Sequence, residues 1–392
     1  MFYSSPETID FVEERLPEIL DSIFGNLDGE SPFFLEAIVH RERNISDVHK
    51  GFFRAQELIK SYLISIQNDY LQNRRIDDRE HRKQRRIILE FREAILRKLS
   101  DSIVWILFDG EYYLIRRLFI GASQIPINPK EIENVASVLD LIKGSPLKFA
   151  LISDLTSCVQ IGDLILVSWI LGKKVISIVE VKTGETNRAL TELIDSIPNP
   201  LESVEFPEPK LQGQFERIIK QNSRKERVIR ILDNKYSPEP PGENSFKLIT
   251  PEQAFETKTF TNKILRLLKK SKTENWAIDI IDGCLYTGVY STRKGPMYKG
   301  FDFWTDEIIP DYPSIDFRDG LYWELSMPLF LHPFSLEEIQ GILTRKYIIL
   351  FRLDFDTLFK IAEHFGIRMA GRPENVRQNL MVKRNQQENI LL

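Results

Sequence analysis

Three residues carry the strongest chemical signal in the chain: Asp163, Glu180 and Lys182. Asp163 opens the run Leu164-Ile165-Leu166-Val167, and Glu180 and Lys182 close the run Val175-Ile176-Ser177-Ile178-Val179. Both runs read as strands because they are apolar and rich in β-branched residues. A tight turn makes them an antiparallel hairpin. Placed at Gly172-Lys173, the turn sets Asp163 opposite Lys182 with Glu180 as its diagonal neighbour; placed at Leu171-Gly172, it sets Asp163 opposite Glu180. Side chains alternate faces along a strand, so in either register all three groups share one face. The rest of the third strand is apolar on both faces, as in a central strand of a covered sheet. There a carboxylate and an ammonium are costly unless they pair or bind a metal. Two carboxylates a few ångströms apart suit Mg2+, which keeps several waters and takes one or two carboxylates plus substrate phosphate. The ion would polarise a phosphoryl oxygen and help activate a water. The lysine would orient that water or stabilise developing negative charge.

The surrounding text predicts how these residues are positioned. Pro129-Lys130-Glu131 starts a helix that reaches about residue 143 and is ended by Gly144-Ser145-Pro146. Strands follow over 149–152, 163–169 and 174–182. A proline-rich connection with Pro198, Pro200, Pro207 and Pro209 leads to a basic amphipathic helix over 211–232 and a strand over 246–250. Upstream, apolar residues at three- and four-residue steps predict helices over 5–23, 47–71 and 87–107, with the arginine-dense 74–86 between them. Residues 112–120 fit helix or strand. Downstream, a basic helix over 263–272 precedes a β-leaning stretch holding 276–281, 285–290, 301–304, 321–325 and 347–351, with turns at Asp282-Gly283 and Asp319-Gly320 and a last helix over 356–365. The expected fold class is α/β at the centre and α+β overall. Three regions are expected: mainly helical residues 1–125, a central domain 126–255, and a mixed, β-rich module 256–392 for substrate or partner binding.

At Asp163, Glu180 and Lys182 the chain resembles the PD-(D/E)xK phosphodiesterase superfamily, the restriction-endonuclease-like nucleases. That family places an Asp on the second core strand and an acid-x-Lys triplet on the third, within an αβββαβ core. The resemblance spans roughly residues 129–250. One departure is visible, since Gly162 precedes Asp163 where the family name has proline. The acid-x-Lys triplet also occurs at Glu208-Pro209-Lys210, Asp233-Asn234-Lys235 and Glu256-Thr257-Lys258, so the weight rests on the strand context and on the paired Asp163. The resemblance implies catalysis by Asp163, Glu180 and Lys182, with Mg2+, or Mn2+ as a substitute, held by Asp163 and Glu180. A further metal-shell acid is expected on the preceding helix, where Glu133 and Glu131 are candidates, and polar support on the following helix from Lys210, Gln212 and Gln214. Asp154 is another acid nearby, which a turn cap explains equally well. The implied activity is DNA hydrolysis, with bacterial restriction or antiphage defence as the setting. The alternative is a catalytically inactive subunit of the same fold that binds nucleic acid or a protein.

Composition bounds these readings. With 53 Lys and Arg against 57 Asp and Glu, the chain as a whole does not advertise a polyanionic partner, so DNA contacts must come from local patches. Candidates are Arg82, Lys83, Arg85 and Arg86; Arg224, Lys225 and Arg227; and Lys269 and Lys270. A protein partner or a second copy of the chain is a further expectation. Two cysteines, Cys158 and Cys284, exclude a disulfide framework and a cysteine-ligated zinc site. The start of the chain shows no export signal and no apolar run approaches membrane-spanning length, which predicts a cytoplasmic protein without membrane contact.

Overall fold

Ser5 starts the first helix as the spacing predicts. Its hydroxyl accepts from the Thr8 N–H at 3.2 Å, and Pro6 takes the first helical position, where its missing N–H costs nothing. Helix α1 (Pro6–Asp10) runs through one π-type turn (Phe11–Arg15) into α2 (Leu16–Phe24). The computed structural model describes residues 5–25, 45–119, 121, 127–140, 142–170, 173–181, 222, 226, 228–229, 260–292, 299–309, 312–323 and 326–364. Within them the protein is α+β, with two antiparallel sheets and helices, and no helix is long and apolar enough to cross a membrane. Two units form, one from Glu18–Thr257 and the other from Met1–Pro17 with Lys258–Leu392.

The first of these units is built on two long helices, α3 (Ile45–Asn73) and α4 (Arg79–Leu107). Val48, Phe52, Ala55, Ile59, Leu63 and Ile66 form one buried stripe on α3, the helical period made visible. Helix α4 begins eight residues before its predicted start. Its cap is Asp78, whose carboxylate accepts from the Glu80 and His81 N–H groups at 2.8 and 3.0 Å. The arginine-dense segment expected between helices is therefore largely helix, since Arg, Lys, Gln and Glu are strong helix formers and need no apolar period on a solvated turn. The undecided stretch is helical too, as α5 (Tyr112–Leu118), and α6 (Pro129–Asp140) buries Ile132, Val135 and Leu139.

Strands β1 (Lys148–Ile152), β2 (Leu164–Ile170) and β3 (Lys173–Val179) form a meander in that spatial order. The face bearing Phe149 lies under α3, with the Phe149 ring 5.5, 4.9 and 5.8 Å from the rings of Phe52, Phe53 and His49. Gln56 of α3 donates to the Ala150 carbonyl at 3.2 Å and accepts from the Ile152 N–H at 2.8 Å, which satisfies the outer edge of β1. The third strand departs from expectation. Among the described residues β2 is the central strand, and β3 is an outer one whose Val175 is 39% exposed. Apolar residues on both faces mark burial only if something covers both faces, and the strand expected over 246–250 lies outside the described residues.

The other unit carries α7 (Thr261–Glu274), β4 (Trp276–Ile281), β5 (Leu285–Ser291), α8 (Lys299–Asp306), β6 (Ile315–Asp316), α9 (Leu336–Leu343), β7 (Tyr347–Leu353) and α10 (Phe355–His364), with strand order β4-β5-β7-β6. Asp282 and Gly283, at φ 51° and 74°, make the predicted hairpin turn. Two expected strands are not strands among the described residues, which leave out 324 and 325. Residues 301–304 lie in α8, and 317–322 form a 3-10 helix. Short aromatic runs have no decisive period, and burial of Phe301 and Thr305, one turn apart, settles α8 as a helix.

Titration behaviour follows from this packing. His332 is buried against Thr261 Oγ1 at 3.1 Å, and burial lowers its pKa to about 4. Below pH 6.5 the unfolded chain takes a proton that the folded one refuses, so this group costs stability as pH falls, up to about 3 kcal/mol. Asp319 acts with the opposite sign. Burial first, then the charge of Asp316, raises its pKa to about 6, so acidification below pH 6 relieves a cost already present at neutrality. We expect His332→Gln to flatten the loss of urea resistance between pH 7 and 4.5, and Asp319→Asn to steepen it while raising stability at pH 7.

Candidate active site

Antiparallel order brings the end of β1, the start of β2 and the end of β3 to one rim of the sheet. Leu164 opposite Val179 is the last pair of that ladder, and just beyond it come Asp163 before β2 and Glu180 after β3. Ile152 stands opposite Leu164, so the next pair on the other side is Ser153 and Asp163, and the Ser153 N–H donates to the Asp163 carbonyl at 2.9 Å. Ser153 and Asp163 thus stand side by side in a row at the rim, and Glu180 follows the last paired residue of β3. Ile170 opposite Lys173 leaves residues 171–172 as the connection, so the turn is the one placed at Leu171-Gly172, and the regular pairing ends at Leu164 and Val179. Lys182 itself lies outside the described residues.

Asp163 is anchored tightly. Its N–H donates to the Val179 carbonyl at 2.9 Å, and its Oδ2 accepts from the Val181 N–H at 2.5 Å. That second bond sets the carboxylate against the peptide joining Glu180 to Val181. Both acids are half-buried. The residue before them explains the departure from a Pro-Asp pair: Gly162 has φ +71°, and a Cβ there would lie 2.4 Å from Ile178 Cγ2 and 3.1 Å from the Val179 carbonyl oxygen. Proline, fixed near φ −65°, has no access to this conformation. Gly162→Ala is expected to cost about 2–3 kcal/mol through strain and crowding, and Gly162→Pro more, read as a fall in the urea unfolding midpoint.

A further acid stands next to the row. Asp154 follows Ser153 in the short 3-10 helix after β1 (Ser153–Leu155). Lost hydration is the largest influence on its carboxyl and raises its pKa; Glu131 adds to the rise, and Arg97 opposes it. Glu131 of α6 thus stands near enough for its charge to act on Asp154. Glu133, two positions on, projects from a different face of the helix. Both are exposed, with the buried Ile132 between them.

Helix α4 fixes the segment from Asp154 to Cys158. The buried Arg97 donates to the Asp154 and Thr156 carbonyls at 2.7 and 3.1 Å and pairs with Glu93 at 2.9 Å. Asp101 accepts from the Ser157 and Cys158 N–H groups at 2.7 and 3.2 Å and pairs with Lys98 Nζ at 3.0 Å, both side chains fully enclosed. Sequence reasoning missed these residues. Arg97 and Lys98 fall within the helix predicted over 87–107 as ordinary charged positions, and only the apolar residues flanking them on both sides hint at burial. Cys158 is enclosed in the same place; burial pushes its thiol pKa up and makes it a poor nucleophile.

The remaining candidates are spread out. Lys210, Gln212, Gln214, Arg224, Lys225 and Arg227 lie outside the described residues, although positions 222, 226, 228 and 229 within the expected 211–232 helix are helical. On α4, Arg82 and Arg86 are exposed and Lys83 and Arg85 half-buried; Arg85 pairs with Asp69 at 3.5 Å and Arg86 with Glu90 at 2.7 Å. Lys269 and Lys270 are exposed on α7 in the other unit, with Lys270 3.6 Å from Glu274.

For a metal, the row supplies hard oxygen donors from Asp163 and Glu180. Among the described residues no group of three or more His, Cys, Asp or Glu side chains is arranged to hold an ion. Two carboxylates fit Mg2+, which retains waters, and fit poorly an ion that requires a full protein cage. Comparisons with protein-family models, with curated proteins and with solved structures returned no match.

Proposed function

We propose that the protein is a Mg2+-dependent nuclease that hydrolyses phosphodiester bonds in DNA, with a restriction-endonuclease-like core in the Glu18–Thr257 unit. The observation that supports the reading is the antiparallel ladder that brings the start of β2, which Asp163 precedes, and the end of β3, which Glu180 follows, to one rim of a sheet preceded by a helix. Asp163 and Glu180 would hold the ion, which when bound polarises a phosphoryl oxygen and lowers the pKa of a bound water. Lys182, one residue beyond Val181, supplies a positive charge to orient that water and to offset charge building on the phosphate. The bond from Asp163 to the Val181 N–H ties the start of the second strand to the acid-x-Lys segment, so the Asp163 carboxylate is held against that segment before substrate arrives. Exposed Arg82 and Arg86 suit contacts to backbone phosphates, which give affinity without sequence preference. Bacterial restriction or antiphage defence is the setting this reading suggests.

A second reading is favoured by the same bond. An Asp163 carboxylate engaged by the Val181 N–H already has a structural task, and the row then serves a catalytically inactive subunit that binds nucleic acid or a protein partner. Incubating the full chain with supercoiled plasmid in Mg2+ and in EDTA separates the two. Nicked or linear product in Mg2+ or Mn2+ that vanishes with EDTA is the expected result. DNA retention on a gel without cleavage in any metal favours the inactive subunit. A parallel incubation with RNA defines the substrate class.

A further inference from the structure

We propose that the tip of the α3–α4 hairpin is the surface on which the phosphodiester backbone of a nucleic acid docks, met by Arg74, Arg75, Arg79, Arg82 and Lys83. The inference rests on the nucleic-acid-binding part of the reading above, which its catalytic and inactive forms share. The tip is a built turn. The Arg75 and Ile76 N–H groups donate to the Gln72 and Asn73 carbonyls at 2.9 and 3.2 Å, and the buried Asn73 amide donates across the hairpin to the Arg82 carbonyl at 3.0 Å. Behind it, Tyr70 donates to Glu93 at 3.2 Å and Arg85 pairs with Asp69, so the two helices are fastened to each other before any ligand arrives. The four arginines are exposed and Lys83 is half-buried; among the described residues none of the five side chains has an ion pair or a hydrogen bond. The acids of the tip are Asp77, Asp78 and Glu80, and two of them have partners: Asp78 caps α4, and Glu80 accepts from Gln84 at 3.2 Å. Arg85 and Arg86 differ from the five, since Asp69 and Glu90 already meet their charges. Helix energetics do not explain the placement. Arg79 and Arg82 occupy the first turn of α4, at the positive end of the helix dipole, where a cation is unfavourable and an acid is the usual residue. Four of the five are arginines, whose planar guanidinium takes two phosphate oxygens at once. Leu71 is the exposed large apolar residue beside them, whereas a helix lying on a membrane needs a whole apolar face. The phosphates of a strand are the polyanion that matches cations spread over a turn and two helix ends.

The test measures binding of the full chain, in EDTA to silence metal-dependent cleavage, to a fluorescein-labelled DNA duplex and to the RNA duplex of the same sequence, by anisotropy across a series of salt concentrations. The triple variant Arg79→Gln, Arg82→Gln, Lys83→Gln is expected to weaken DNA binding about tenfold or more at roughly 0.1 M salt. Its slope of log K against log salt is expected to be shallower by about 2–3, since each lost phosphate contact removes about 0.9. Its melting temperature is expected to stay level or rise, because cations have left the positive end of α4. A control removes three other cations of α3, Lys50→Gln, Arg54→Gln and Lys60→Gln, which pair with Asp47, Glu18 and Glu57. They stand about 20 Å or more along the helix from the tip, beyond the reach of a screened charge, so the slope is expected to hold. Equal loss in the two triple variants overturns the proposal, and so does a tip variant that binds as well as the unaltered chain. Displacement of the DNA by polyglutamate or by anionic vesicles at equal charge concentration overturns it as well, assigning the tip to another partner. The same loss with RNA bound more tightly than DNA upholds the tip and makes RNA the source of the phosphates. If the unaltered chain binds neither duplex, the nucleic-acid reading fails as a whole, an outcome distinct from failure of the tip alone.

Discussion

Glu180→Gln is expected to lower the rate of Mg2+-dependent plasmid cleavage by on the order of a thousandfold, equivalent to about 4 kcal/mol of barrier. Stability is expected to move by about 0.5 kcal/mol or less, because the residue is half-buried at a strand end and the amide keeps its size. Asp163 allows a finer separation, since its carboxylate has two tasks. Asp163→Asn retains an oxygen to accept from the Val181 N–H and removes the charge, so cleavage falls as far as in Glu180→Gln while the fold persists. Asp163→Ala removes the acceptor as well, and a further loss of about 1 kcal/mol in stability is expected. Gel-based cleavage rates alongside urea unfolding of the same preparations read both effects. Equal activity in all three variants would leave the rim as a structural feature only.

Asp101→Ala is expected to be the most destabilising single change in the Glu18–Thr257 unit, at about 3–5 kcal/mol. Its carboxylate pairs with a lysine that is 1% exposed and accepts from two main-chain N–H groups, so the substitution leaves Lys98 without that counter-charge and strips Ser157 and Cys158 of their acceptor. The companion change Lys98→Met in the same chain is expected to recover part of the loss, because it removes the buried ammonium but not the two orphaned N–H groups. Chemical denaturation of the single and double variants measures the coupling. Because the segment held by Asp101 begins beside Ser153 and Asp154, cleavage by Asp101→Ala is expected to fall as well.

Which parts of this arrangement could be read from the residues follows from where periodicity speaks. The three strands of the first sheet lie within two residues of their predicted starts and within three of their predicted ends, because β-branched runs between turn signals have few other solutions. The register was open between two turns. Only the backbone decides it, since both placements keep Asp163 and Glu180 on one face and the local text around Leu171-Gly172-Lys173 serves either. Helix α9 was missed even though its capping box is written in the chain: Ser335 accepts from the Glu338 N–H, and Glu338 accepts from the Ser335 N–H. Buried charge was the least legible feature. Arg97, Lys98 and Asp101 have the spacing of an ordinary solvated helix face. Their enclosure depends on the 153–158 segment, nearly sixty residues away, arriving to take their hydrogen bonds.

The most direct test of the central claim is crystallographic. Crystals of the full chain soaked in MnCl2 and measured near the manganese absorption edge are expected to show an anomalous peak about 2.2 Å from a carboxylate oxygen of Asp163 and of Glu180. A map with no peak between those two side chains, at Mn2+ concentrations that support cleavage, would contradict the account.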